Sequence, residues 1–188
     1  RVLKIDSNNN YYIMGSSECQ NGAPYPTLAK FDSNFNVQWV KNLSEEGIPL
    51  YYSNNIALAI SNDGIIFVGG DTNSLASMAT LDSNGNKINY DLITECYNEE
   101  LGGFCNGRIV DAFFGPDGKL RIIGYGNFTS EAWLGEQGFL MEVDSNTLEI
   151  ERFTIYGNEQ AEYPKSFLMD SNGSILISSV DYYYGFKH

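Results

Sequence analysis

The chain has 188 residues, room for one ordinary domain with a sizeable core. Lysine and arginine number 11 against 24 aspartates and glutamates, a formal charge of −13; this argues against nucleic acid and anionic membrane surfaces, both of which are held by cationic side chains. Hydrophobic residues are 43% and aromatics 14% of the chain, too many for a disordered acidic tail.

No apolar run approaches the roughly 18 residues that span a bilayer, so direct membrane insertion is not expected. The single histidine is His188. Ser-His-Asp and Cys-His mechanisms and multi-His metal sites therefore have no internal histidine to use.

From the N-terminus, short β-rich stretches alternate with tight-turn sequences. Asp-Ser-Asn-x-x begins at Asp6, Asp32, Asp82, Asp144 and Asp170, and the variants Ser61-Asn62-Asp63-Gly64 and Gly115-Pro116-Asp117-Gly118 fill the remaining slots. Asn, Asp and Gly tolerate positive φ, and an Asx side chain caps a tight bend, so these seven segments read as hairpin turns. One set places its glycine slot at Asn9, Gly64, Gly118 and Gly173, with spacings of 55, 54 and 55 residues. Six residues later stands a small residue each time: Gly15, Gly70, Gly124 and Ser179. The other set places its slot at Phe35, Gly85 and Thr147.

The predicted strands follow in chain order. The first unit has 2–6, 10–15, 27–32 and 37–43; the second has 55–60, 65–70, 76–82 and 87–93. The third has 108–114, 119–125, 138–144 and 149–156, and a fourth supplies 165–170 and 174–180. No window shows a helical period. Four antiparallel strands recurring at this period are blades of a β-propeller. The expected fold is all-β, a single propeller-type region over 1–188, with blades at about 1–43, 53–93 and 108–156 and a partial blade at 163–182. Three and a half blades fall short of the four or more that close a typical propeller. The expectation is a piece of a longer protein whose remaining blades complete the ring; the alternative is completion by another chain.

Stretches such as DSNNNYYIMGSS, LAKFDSNFNVQWVKNL and ATLDSNGNKINYDL resemble propeller repeats of secreted bacterial and archaeal surface proteins. They are similar in turn chemistry to quinoprotein-type repeats. The resemblance implies the fold; such repeats serve adhesion, scaffolding and enzymes alike. The sequence departs from the pattern at its tryptophan position, kept as Trp39 and replaced by Asn89 in the next unit.

The longer loops, near 16–26, 43–54, 71–76, 94–107, 126–137 and 157–164, gather on one face of such an array. They carry eleven carboxylates and no lysine or arginine. They also carry aromatics. Rings interleaved with acids suit a carbohydrate, which stacks and donates hydroxyls, or a basic protein surface. The same rings would equally serve to pack loops onto neighbouring blades. Tyr51, Tyr52, Glu131 and Trp133 are the expected contact residues, with Glu95 and Glu99 supplying charge.

Three Asn-x-Ser/Thr triplets, at Asn42, Asn127 and Asn172, lend some support to an extracellular or cell-surface location and to glycosylation. Cys96 and Cys105 are close enough for a local disulfide or are two free thiols, and Cys19 has no evident partner. No cofactor or metal is implied. Asp82–Asn86 superficially resembles the start of a calcium loop but lacks the later bidentate acid, and reads better as a capped turn. No catalytic residue is assigned. A sialidase-like site wants several convergent arginines, and the Asp-box pattern Ser-x-Asp-x-Gly-x-Thr-Trp is absent. The expected function is a binding, adhesion or structural module acting through its acidic-aromatic loops, with self-assembly as one form of the structural role. The alternative is a carbohydrate-active hydrolase using loop glutamates as acid and base.

Overall fold

The computed structural model describes residues 1–17, 25–50, 56–72, 75–93, 106–127, 136–156, 161–170 and 173–182. Fourteen strands lie among them, as the turn spacing requires. Blade 1 contains β1 (Val2–Ile5), β2 (Tyr11–Ser17), β3 (Tyr25–Phe31) and β4 (Val37–Asn42). Blade 2 contains β5 (Ala57–Ile60), β6 (Ile66–Thr72), β7 (Leu75–Leu81) and β8 (Lys87–Leu92). Blade 3 contains β9 (Asn106–Phe114), β10 (Leu120–Asn127), β11 (Gln137–Val143) and β12 (Ile150–Tyr156). β13 (Ala161–Met169) and β14 (Ile175–Tyr182) form a two-stranded fourth blade. Each sheet is an antiparallel meander in sequence order. No helix among the described residues is long and apolar enough to cross a membrane.

The turns show why the repeat reads so clearly. In the first, the Asn9 amide donates to the Asp6 carbonyl at 3.0 Å and the Asp6 amide donates to the Asn10 carbonyl at 3.1 Å. This is a type I turn closed by one left-handed residue. Asn9, Phe35, Gly64, Gly85, Gly118 and Gly173 occupy that left-handed slot with positive φ. The leading aspartate caps the bend. Oδ1 of Asp32 accepts the Asn34 and Asn36 amides at 2.9 Å, and Oδ2 accepts the Asn36 side chain at 2.9 Å. Asp82 does the same with Asn84 and Asn86, so its carboxylate is that of a capped turn.

One slot is corrected. The left-handed residue of the blade 3 outer turn is Leu148, not Thr147. There the Leu148 amide donates to the Asp144 carbonyl and the Asp144 amide donates to Glu149, so the bend is one residue longer than its counterparts. Leu148 is buried, and packing holds it where its backbone preference would not. The fourth blade also begins earlier than expected, at Ala161, because a register shift between Pro164 and Ser166 lets the strand continue past the proline.

The blades pack face to face, with the core in the seams. Because side chains alternate along a strand, blade 2 sends successive residues to opposite neighbours. Leu58, Ile66, Val68, Ala79 and Leu81 pack with Tyr12, Met14 and Leu28 of blade 1. Ala57, Ala59, Phe67, Ala76 and Met78 pack with Ile109, Ala112, Ile122 and Phe139 of blade 3. Every residue of β6 is buried. The inner strands adjoin in succession, β1 to β5, β5 to β9 and β9 to β13, whereas the outer strands β4, β8 and β12 are half-exposed. The segment 43–50, expected as surface loop, instead inserts Leu43, Ile48 and Leu50 into the first seam.

The tryptophan position explains itself at the outer edge. Trp39 Nε1 donates to the Ser83 carbonyl of the next blade's turn at 3.2 Å. Asn89, in the same register place one blade on, donates its side-chain amide to the Asn146 carbonyl of the following blade. What blades 1 and 2 share there is a donor to the neighbouring turn rather than an indole. In blade 3 the equivalent is Arg152, which turns back to Glu142 at 3.4 Å.

Candidate functional site

The tight turns lie at one end of the strands and the longer connections at the other. The small residue six positions beyond each turn leads toward that second end. At Gly124 a Cβ would overlap the Arg108 carbonyl and the Phe139 ring, so glycine lets β9 cross close to β10 where their register shifts.

Five side chains stand at the loop-bearing end of blades 2 to 4. Asp71 is next to last in β6, Arg108 is third in β9, Tyr125 lies near the end of β10, Glu136 precedes β11 and Tyr163 lies near the start of β13. Arg108 and Tyr125 are register partners, and Arg108 Nη1 donates to the Tyr125 hydroxyl at 3.3 Å. The Tyr125 ring meets Tyr163 edge-on, 4.9 Å between centroids. The bond to Tyr125 holds the Arg108 guanidinium above its ordinary pKa against the opposing effect of burial, and the charges of Asp71 and Glu136 act in the same raising direction.

Arg108 has five donors, and Nη1 alone is engaged among the described residues. Asp71 is 8% exposed, and its Oδ1 has no hydrogen-bond partner among the described residues. A cation and an anion with unspent hydrogen-bonding capacity thus stand at one end of the molecule, beside an aromatic pair. This arrangement can hold a ligand that offers donors, acceptors and an apolar face together.

The loops themselves carry no lysine or arginine, but a strand brings a base to the same end of the molecule. Arg108 arrives from near the start of β9, whereas Lys41, near the end of β4, pairs with Glu46 at 2.9 Å and lies against Asn86 of the blade 2 outer turn. Sequence reasoning missed Arg108 and Tyr125 because both read as ordinary strand residues; the signal that could have found them is their nearness to a strand's loop end. Of the predicted contact residues, Tyr51, Tyr52, Glu95, Glu99, Glu131 and Trp133 lie outside the described residues, as do Cys96, Cys105 and Asn172. Asn42 ends β4; its Oδ1 accepts the Ser44 amide at 3.1 Å and its Nδ2 donates to Glu45 at 3.1 Å. Asn127 ends β10 opposite Asn106.

No protein-family model matches the sequence, and no curated protein does so either. Among solved structures the chain is similar to a mutant of the NanB sialidase from Streptococcus pneumoniae, with a TM-score of 0.57 and 16% identity. The likeness covers 91% of this chain and 25% of that one, so the chain spans about a quarter of that protein's length. It establishes the fold: an all-β, β-propeller-type array of four-stranded antiparallel blades.

Proposed function

We propose that the protein is an extracellular or cell-surface propeller module that binds carbohydrate through its loop-bearing end, with Arg108 at the centre of the contact. The observation that carries this reading is the Arg108 guanidinium, tied to Tyr125 by one donor and flanked by Asp71 and Glu136, with its remaining donors unused among the described residues. A sugar hydroxyl accepts from a guanidinium and donates to a carboxylate, and the C–H face of the ring stacks on tyrosine. Tyr51, Tyr52, Glu95, Glu99, Glu131 and Trp133 belong to loops of the same end by chain order and extend the contact in this proposal.

The test is a glycan array followed by calorimetry on the hits. Wild-type protein is expected to bind at least one oligosaccharide, and Arg108→Gln to weaken it at least tenfold without changing the circular dichroism spectrum. An array with no hit, or a hit indifferent to Arg108→Gln, contradicts the proposal. The fold shared with a sialidase favours a second reading, a hydrolase acting through loop glutamates. It predicts that a bound glycan is cleaved and that a single change such as Glu131→Gln or Glu95→Gln abolishes cleavage while binding persists.

A further inference from the structure

Arg108 and Asp71 stand on opposite sides of one strand. Side chains alternate along β9, so Gly107 and Ile109 turn to blade 2 while Arg108 turns to its register partner Tyr125. A Cβ on Gly69 would lie 3.0 Å from the Ile109 side chain, and one on Gly107 would lie 3.4 Å from that of Ala76, the register partner of Asp71. Asp71, two residues after Gly69, therefore shares the face of β6 that packs on the start of β9. Its carboxylate belongs to the blade 2 side of β9, and the guanidinium to the side of Tyr125 and Tyr163. The two form no hydrogen bond with each other. Tyr125 fixes the guanidinium, which stands 5.9 Å from the centroid of its ring.

The charges of Asp71 and Glu136 both act on Arg108, so one cation is set against two carboxylates. Its charge is offset, and its hydrogen-bonding capacity is not. Unused donors lie on one side of β9. On the other lies a carboxylate, 8% exposed, with an oxygen that accepts nothing among the described residues. A polyhydroxyl ligand laid over the start of β9 serves both sides, one hydroxyl accepting from Arg108 and another donating to Asp71. A ligand carboxylate serves Arg108 alone. It adds a third negative charge, and it has no proton to give Asp71, whose buried acceptor stays unpaired. Repulsion of this kind is how a site refuses a close relative of its ligand.

We propose, on the carbohydrate-binding reading above, that this site selects uncharged glycans over their uronic-acid counterparts, with Asp71 as the residue that sets the preference. A neutral sugar finds a donor and an acceptor in place. A uronic acid meets two carboxylates beside the one arginine that would hold it.

The experiment is calorimetry on the full chain with glucose, galactose and mannose trisaccharides, each paired with its uronic-acid counterpart. Wild-type protein is expected to bind at least one neutral member about tenfold or more tightly than its partner at low salt. Added NaCl is expected to narrow that ratio, because part of it is charge repulsion. Asp71→Asn removes the charge at nearly constant shape and is expected to bring the pair within about threefold. Glu136→Gln is expected to narrow the same ratio, and it serves should Asp71→Asn fail to fold. A uronic member bound as tightly as the neutral one, with Arg108→Gln still weakening it, overturns the selection and leaves the carbohydrate reading standing. A ratio that both carboxylate variants leave unchanged overturns the selection too. Absence of binding to either member of every pair does the same, while the general glycan array, read without regard to sugar charge, decides the underlying reading.

Discussion

Leu58 and Leu3 hold the same place in successive repeats, yet Leu58 is fully buried and Leu3 is 56% exposed. Their local structure is alike: an inner strand, a capped type I turn and a second strand. The difference lies in what stands beside them. Blade 2 has a neighbour on each side, so its pleat sends Leu58 into one seam and Phe67 into the other. Blade 1 has one neighbour within the chain and divides into a buried and an open face. A repeat residue in this fold acquires its energetic weight from the adjoining blade, and the substitutions below are ways to widen or close that gap.

The largest effect is expected in the middle of the stack. Phe67→Ala empties a wholly buried site in the second seam, and should cost about 3–5 kcal/mol in urea unfolding. The turn caps come next. Asp6 accepts the Asn8 and Asn10 amides, the Asn10 side chain and the Tyr12 hydroxyl at 2.8–3.1 Å. Burial would raise its pKa, but these bonds outweigh it and hold the carboxyl below its ordinary value. Asp6→Ala should cost about 1 kcal/mol, because much of each bond is regained in water.

Smallest, and dependent on pH, is Asp117. Its two hydrogen bonds from Arg121, at 2.9 and 2.7 Å, lower its pKa from 3.8 to about 2. A carboxyl depressed in the folded state adds stability above its unfolded pKa and loses it as pH falls through its folded one. Asp117→Asn should therefore destabilise at neutral pH, and the gap to wild type should close between about pH 4 and pH 2 in paired thermal melts. A gap that is constant across this window would remove the Arg121 contact from the account.

The strands and turn slots were legible because their causes are local. Apolar alternation marks a strand, and Asx and Gly mark a left-handed bend. Leu148 escaped because its left-handed backbone rests on burial, which leaves no trace in residue type. The positions of Trp39 and Asn89 matched in the sequence, but their shared donor role toward the next turn is visible only once the blades are side by side. Segment 43–50 was read as a loop from its turns, while Leu43, Ile48 and Leu50 were already spaced to enter a seam. At the site, acids and rings were conspicuous in the loops. Arg108 was hidden in a strand, and its meaning comes from which end of β9 it occupies.

The most direct test is a matched pair, Leu58→Ala and Leu3→Ala, unfolded in urea. Leu58→Ala is expected to lose about 2–4 kcal/mol and Leu3→Ala less than about 0.5 kcal/mol. Equal losses at the two positions would contradict the claim that burial between adjoining blades, rather than the repeat itself, sets what each residue contributes.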